Sequence, residues 1–383
     1  MIPLAIPNLS GNELQYLREC VESTFVSSVG PFVTRFEQMV AQASGATHSV
    51  ATSAGTTGLH AALAAVGVQR DDLVVLQSLT FIASANAISQ CGASPWLLDV
   101  AAESWTLDPT ALETALANET ERRDGVLRHR ASGRRVAAIM PVYTLGLPAD
   151  MDRLGALAKQ YGLPIVADAA AALGATYKGR AVAELGADLT VFSFNGNKTV
   201  TAGGGGAVAG NDEKLCRRVR HLTTTARCGT DYDHDEVGFN YRMTNLQAAV
   251  GCAQLEQLDR FVAAKQRIAT TYNEALADLP HVGLFPAPPW ATSACWFSGV
   301  TVSAPDTAAL IPLLRADGID ARPFWKPIHL QVPYADAPRG PLAVTDATWK
   351  TILTLPCSTA LTHEEQHTAI AAVRGRLLPA ASR

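Results

Sequence analysis

Lys198 stands in FSFNGNKTVTAGGGGAV (192–208), an apolar run that closes on four consecutive glycines. An ammonium group in such surroundings is costly unless it is paired, neutralised or covalently occupied. Desolvation lowers the pKa of an amine, so a lysine held this way is a usable nucleophile; a salt-bridged structural lysine is the alternative. Gly203–Gly206 suggest backbone that passes close to a bulky group. Three other features suit the same ligand. In TSAGTTGLHAAL, Gly55, Thr56 and Thr57 stand just before a helical pattern, where N–H groups and hydroxyls face an anion along the helix dipole. The same residues are also ordinary N-terminal punctuation. Asp168 ends the apolar PIVAD, where a carboxylate needs a partner, a role or a following helix to cap. Phe81 opens a helical pattern after a strand, and its face suits a flat ring or the core.

Taken together, these are a phosphate cradle, a carboxylate, an aromatic plate and an amine, each following a successive strand. The set matches the needs of pyridoxal 5′-phosphate. The Gly–Thr helix start takes the phosphate, the carboxylate keeps the pyridine nitrogen protonated, and the lysine forms the Schiff base.

The elements that must position these groups follow from hydrophobic patterning. LVVLQ (73–77), SPWLLDV (94–100), VAAIMPV (136–142), PIVAD (164–168) and ADLTVFSF (187–194) read as strands. TTGLHAALAAVG, FIASANAISQCG, PADMDRLGALAKQYG and AAAALGA between them read as helical. Strands apolar throughout, separated by helices, predict an α/β fold with a mostly parallel sheet covered on both faces. Ligands in such sheets gather at the carboxyl ends of the strands. Residues 245–275 read as one long helix. A Pro-rich break follows, then an α+β tail with strands expected at 296–302 and 319–324. This patterning predicts a large cofactor-binding domain over 1–254 and a smaller C-terminal domain over 255–383.

Bulk properties exclude several classes. Across 383 residues, 48% are hydrophobic and 17% charged, and the net charge is −4. There is no electrostatic case for nucleic acid or an anionic membrane surface. No run approaches the ~18 apolar residues that span a bilayer. The first residues lack a basic and apolar leader pattern, so the expectation is a cytoplasmic protein. Seven cysteines at irregular spacing, with no C-x-x-C pair, fit reduced thiols better than disulfides or a zinc site, so no metal is expected. Six arginines in 121–135 read as a solvated loop or as a diphosphate contact.

The chain resembles the DegT/DnrJ/EryC1/StrS aminotransferases, enzymes of pyridoxal phosphate fold type I (aspartate aminotransferase-like) that aminate nucleotide-linked keto-sugars. The likeness is carried by SSVGPFVTRFE, SAGTTGLHAAL, LTFIASANAI, VADAAAALGATYKGR, FSFNGNKTVTAGGGGAV, GFNYRMTNLQAAVGCAQLEQL and LPCSTALTHEEQ, so it runs nearly end to end. It implies Lys198 as the Schiff-base lysine and proton carrier, Asp168 on the pyridine nitrogen and Phe81 against the ring. It also implies Gly55, Thr56 and Ser193 as phosphate ligands. Asn240, in GFNYRM, would reach the phosphate from the other subunit of a homodimer, so each site would be built from two chains. Arg227, His329 and Arg322 fall in loops where relatives bring groups to the site entrance. Two departures stand out. Ala171 replaces a side chain that often bonds the cofactor's 3′-oxygen, leaving Tyr143 or water to take over, and Tyr143 itself stands where relatives often carry His. NGNK with GGGG, TFVSSVG and HLTTTAR look most like the subgroup that aminates C4 of UDP-4-keto-6-deoxy-N-acetylhexosamine for surface-glycan amino sugars. L-Glutamate is the implied donor in a ping-pong reaction. Other acceptors in the wider family are a GDP-4-keto-6-deoxyhexose and an eight-carbon ulosonate. Sugar deoxygenation would need His in place of Lys198, and a non-catalytic binding protein would not need the intact Lys198 and Asp168.

Overall fold

The apolar runs assemble into one continuous sheet in the computed structural model, which describes residues 1–303 and 306–378. Its strands are β1 (His48–Thr52), β2 (Leu73–Gln77), β3 (Ser94–Leu98), β4 (Val136–Met140), β5 (Val166–Asp168), β6 (Leu189–Ser193) and β7 (Gly206–Gly210). They lie in the order β3-β2-β4-β5-β6-β7-β1, with β4 and β5 joined through the parallel bridges Ile139–Ile165 and Val142–Asp168. All neighbours run parallel except β7, which is antiparallel to both β6 and β1. Strand β2 shows why an all-apolar sequence is required. Leu73 and Val75 enter the core on one face, while Val74 and Leu76 enter a separate core on the other. Helices Pro31–Ser44 and Asn245–Leu255 cover the first face, and Gly55–Ala65, Ile82–Gln90 and Glu213–Thr223 the second.

A second layer is built from an antiparallel sheet in the order Val282–Leu284, Ser298–Val302, Ile352–Leu355 and Arg322–Pro323. Helices Leu258–Leu276, Thr307–Ala316 and His363–Leu377 pack on it through Ile268, Tyr272, Leu310, Leu314, Ala369 and Val373. Leu4, Leu79, Val100, Trp105 and Leu145 belong to the same core and tie this layer to the rim of the main sheet.

Several sequence expectations are corrected. The long helix over 245–275 is two helices, Asn245–Leu255 and Leu258–Leu276, interrupted at Gln257 (φ −104°, ψ 3°) with neither glycine nor proline to mark the break. AAAALGA forms turns rather than a helix, with Ala169, Ala172 and Ala175 buried. Asp168 therefore caps no helix. The 319–324 strand shrinks to Arg322–Pro323. The arginine-rich stretch is a hairpin, Thr120–Arg123 with Val126–His129, and Glu121 and Asp72 pair with Arg123, Arg130 and Arg135. Among the described residues, no helix is long and apolar enough to cross a membrane.

The glycine tract has a tighter role than clearing room for a ligand. Gly205 adopts φ +115°, and a Cβ on Gly206 would lie 2.5 Å from the Ala54 carbonyl oxygen. The tract lets β7 press against the turn that starts helix Gly55–Ala65. Gly55 repeats the device, since its Cβ would come within 2.9 Å of Ser193 Cβ. We expect Gly206→Ala to lower stability by roughly 1–3 kcal/mol, because the obstructing atoms are backbone and cannot turn aside. Gly196, with open space around its Cα, serves as control, and Gly196→Ala should leave the urea midpoint within error. Equal midpoints for the two variants would contradict this reading.

Candidate active site

A cavity of about 470 Å³ opens at the carboxyl ends of β4, β5 and β6, where it meets the start of helix Gly55–Ala65 and the edge of the C-terminal layer. The structure brings Gly55, Thr56, Phe81, Tyr143, Asp168, Ser193, Lys198 and Arg322 to its wall. These eight come from segments separated by up to 267 positions in sequence, 55 to 322.

Lys198 ends a short turn whose backbone N–H donates to the Asn195 carbonyl at 3.0 Å. Its Nζ lies 3.7 Å from the centroid of the Trp296 ring. Trp296 is itself fixed, its Nε1–H donating to the Asn197 carbonyl at 2.7 Å. Burial pulls the Lys198 amine down to about 8, and the attraction of Asp168 opposes that pull. About a tenth of the amine is then free base at pH 7 and about half at pH 8, which a nucleophile or proton acceptor requires.

Asp168 is buried and each of its oxygens has one donor. Ser84 Oγ–H donates to Oδ2 at 2.7 Å, and the Ala170 N–H donates to Oδ1 at 3.1 Å. Burial raises its pKa, and these two donors and Lys198 work against the rise. The carboxylate retains acceptor capacity toward the cavity. Tyr143 is also buried, burial pushes its phenol up, and among the described residues its hydroxyl has no partner. It stands in the same wall as Ala171, whose methyl offers no polar atom.

Helix Gly55–Ala65 has Ala54 at its N-cap, so no side chain closes its first N–H groups. Thr57 turns back on its own helix, its Oγ1 accepting from the Ala54 N–H at 3.0 Å. Gly55 and Thr56 are left facing the cavity, next to Ser193. An uncapped helix start is a ready anion site. The donor set therefore fits pyridoxal phosphate: uncapped N–H groups for the phosphate, a carboxylate with free acceptor capacity for a ring N–H, an unpartnered phenol and a desolvated amine.

Other expected residues lie elsewhere. His329 is outside this chain's cavity wall, packed with Nδ1 2.8 Å from Ser78 Oγ and Nε2 3.1 Å from Asp346 Oδ1. Arg227 is exposed. Its guanidinium donates to the carbonyls of Thr230 and Asp231 and stacks 4.6 Å from the Tyr232 centroid, away from this chain's cavity. Asn240 is likewise exposed and outside it, bridged to Thr224. Arg322 stays at the rim, its Nη2 2.7 Å from Asp320 Oδ2.

Sequence reasoning missed the aromatic wall. Trp296 and Phe297 stack at 3.9 Å, Phe324 and Trp325 at 4.3 Å, and Trp325 approaches Phe81 at 5.6 Å. The Trp-Phe and Phe-Trp doublets were the available signal, but Trp296, Phe297 and Phe324 read as strand residues and Trp325 fell just beyond the expected strand.

The DegT/DnrJ/EryC1/StrS aminotransferase family model matches residues 7–374. The chain is 38% identical to a GDP-perosamine synthase of Caulobacter vibrioides, over 97% of each protein. It is 35% identical to a GDP-perosamine synthase of Escherichia coli O157:H7, over 95% of each. Among solved structures, S. venezuelae DesV in complex with a ketimine intermediate superposes with a TM-score of 0.87 at 31% identity, covering 97% of this chain and 95% of that one.

The amine's lowered pKa has a measurable consequence. After removal of the cofactor, the rate of reloading with pyridoxal phosphate should rise about tenfold per pH unit and level off near pH 8, as the free base becomes available. Asp168→Asn removes the charge that favours the ammonium form, so its inflection should move to lower pH. An inflection near the ordinary lysine value in the wild type, or a shift upward in the variant, would contradict this account.

Proposed function

We propose a function on the premise that the chain belongs to the DegT/DnrJ/EryC1/StrS aminotransferase family and is a pyridoxal phosphate-dependent sugar aminotransferase: it moves the amino group of L-glutamate to C4 of a GDP-linked 4-keto-6-deoxyhexose. The observation that supports this acceptor is the 38% identity to a GDP-perosamine synthase along nearly the whole of both chains. A second reading, UDP-4-keto-6-deoxy-N-acetylhexosamine, draws on the NGNK and GGGG stretches. The product in either case is an amino sugar for surface-glycan synthesis.

When bound, pyridoxal phosphate supplies an electron-accepting ring that stabilises negative charge at the carbon losing its proton. This chain's residues do the rest. Gly55, Thr56 and Ser193 hold the phosphate at the uncapped helix start, and Phe81 lies against the ring. Asp168 holds a proton at the ring nitrogen, with Ser84 and the Ala170 N–H orienting the carboxylate. Tyr143 donates its unpartnered hydroxyl in place of the side chain that Ala171 lacks. Lys198 would take the proton from the glutamate α-carbon in the first half-reaction and, in the second, deliver one to C4 of the keto-sugar. An amine titrating near 8 suits both directions, because neither protonation state is held too tightly. Trp296 shields that amine from water on one side. Arg322, at the rim, meets a carboxylate or diphosphate of the incoming substrates. In this reading the enzyme works as a homodimer in the cytoplasm, with Asn240 and Arg227 serving the partner's site.

Enzyme converted to its amino form with L-glutamate should recover its original absorbance on addition of GDP-4-keto-6-deoxymannose, but not of free sugars. Recovery with the UDP-N-acetylhexosamine derivative alone would replace the acceptor with the second reading. For the shared site, mixing inactive Asn240→Ala and Lys198→Ala chains should restore up to about a quarter of wild-type activity, since random pairing leaves one intact site in half the dimers. No recovery after verified subunit exchange would remove Asn240 from the partner's site.

A further inference from the structure

Away from the cavity, three metal-ligating side chains of different kinds converge on one spot. His221 lies in the last turn of helix Glu213–Thr223, Cys228 in the two-residue strand Arg227–Cys228, and Asp235 directly after the pairing strand Asp233–His234. One ligand atom from each lies within 4.8 Å of the others, and His221 Nε2 is 2.7 Å from Asp235 Oδ1. His221 and Cys228 are half-buried and Asp235 is exposed, so the cluster is open to solvent on one side. Residues 231–236 add Asp231, Asp233 and Glu236, which concentrate negative charge around it. The Glu236 carboxylate comes 3.5 Å from His221 Nε2 while held by Arg218.

We propose that His221, Cys228 and Asp235 form a zinc site. Nitrogen, sulfur and carboxylate donors are the set that borderline Zn²⁺ accepts, and three protein ligands leave a fourth position for water or for Glu236. Donors at about 2.0–2.3 Å around a tetrahedral ion stand roughly 3–4 Å apart, so His221 and Asp235, now 2.7 Å apart, need to part by about an ångström or less to admit it. On binding, Cys228 coordinates as the thiolate and its proton leaves to solvent. The three ligands are spaced seven residues apart, 221, 228 and 235, a pattern that matches no zinc-finger signature and is therefore silent in sequence. The Cys228 thiol and the His221 ring both hydrogen-bond the Asp235 carboxylate, so the three donors already converge on one point. The ion would cross-link the last turn of the helix to both arms of the loop that carries Arg227 and leads to Asn240, and so stiffen it.

The test uses the intact holoenzyme, stripped of adventitious metal and titrated with ZnCl₂ against a chromophoric chelator. One zinc per chain is expected, with affinity falling about tenfold or more in each of Cys228→Ser and Asp235→Asn. Cobalt substitution should add a thiolate charge-transfer band that Cys228→Ser abolishes. Cys228 is half-buried and Asp235 exposed, and an unchanged thermal transition verifies that each variant is folded. Absence of zinc binding in the wild type, affinity unchanged by the two substitutions, or a cobalt band that survives Cys228→Ser would overturn the proposal.

Discussion

The exclusion of water from a single amine is the constraint on which the rest of the site depends. In the proposed mechanism Lys198 must be accessible to substrate and yet desolvated enough to lose its proton near neutrality. The structure meets both demands by placing the amine over the flat face of Trp296 at the floor of an open cavity. Burial alone would depress the amine further; the charge on Asp168 restrains it, and the outcome is a pKa near 8. Asp168 is affected in the opposite sense by the same burial, so each group holds the other within a working range. Neither could be moved to the surface without losing the effect on its partner.

That arrangement explains the sheet. Lys198, Asp168 and the helix start at Gly55 come from three places along the chain, and only a sheet with β5 and β6 adjacent brings their ends to one side. The reversed strand β7 then closes the space between β6 and β1, and it approaches closely because Gly206 has no Cβ to meet Ala54. The C-terminal layer completes the wall. Trp296, Phe297, Phe324 and Trp325 all belong to it, so the aromatic side of the cavity depends on the docking of the two layers.

Much of this was legible in the chain because the groups that carry chemistry also punctuate the elements. Asp168 ends a strand and Gly55 starts a helix, so pattern and chemistry pointed to the same positions, and the strands at 73–77 and 136–142 were visible from their unbroken apolar character. The signal failed where a small residue or a long-range contact decides. Strand β7 is made of glycine, alanine and one valine and reads as no element by propensity. The break at Gln257 has no local marker. AAAALGA favours a helix intrinsically, but the neighbouring strand ends and the buried Ala169 and Ala172 leave it as turns. His329 and Trp296 illustrate the same limit from two sides. One sits in the short helical turn Ile328–Leu330 and packs away from the cavity; the other lies in the bend before the strand Ser298–Val302 and supports the central lysine. Which way a side chain faces depends on partners about 100 to 250 positions distant, Ser78 for the first and Lys198 for the second.

The central claim is that the Lys198 amine itself carries the proton, and chemical rescue tests it most directly. Lys198→Ala reconstituted with pyridoxal phosphate should convert glutamate at least about a thousandfold more slowly than wild type, with the rate rising in proportion to added ethylamine or methylamine. The rescue should track the free-base fraction of the added amine as pH is varied. Glutamate turnover in Lys198→Ala within about tenfold of wild type, with no response to added amine, would contradict the account and assign the proton transfer to another group.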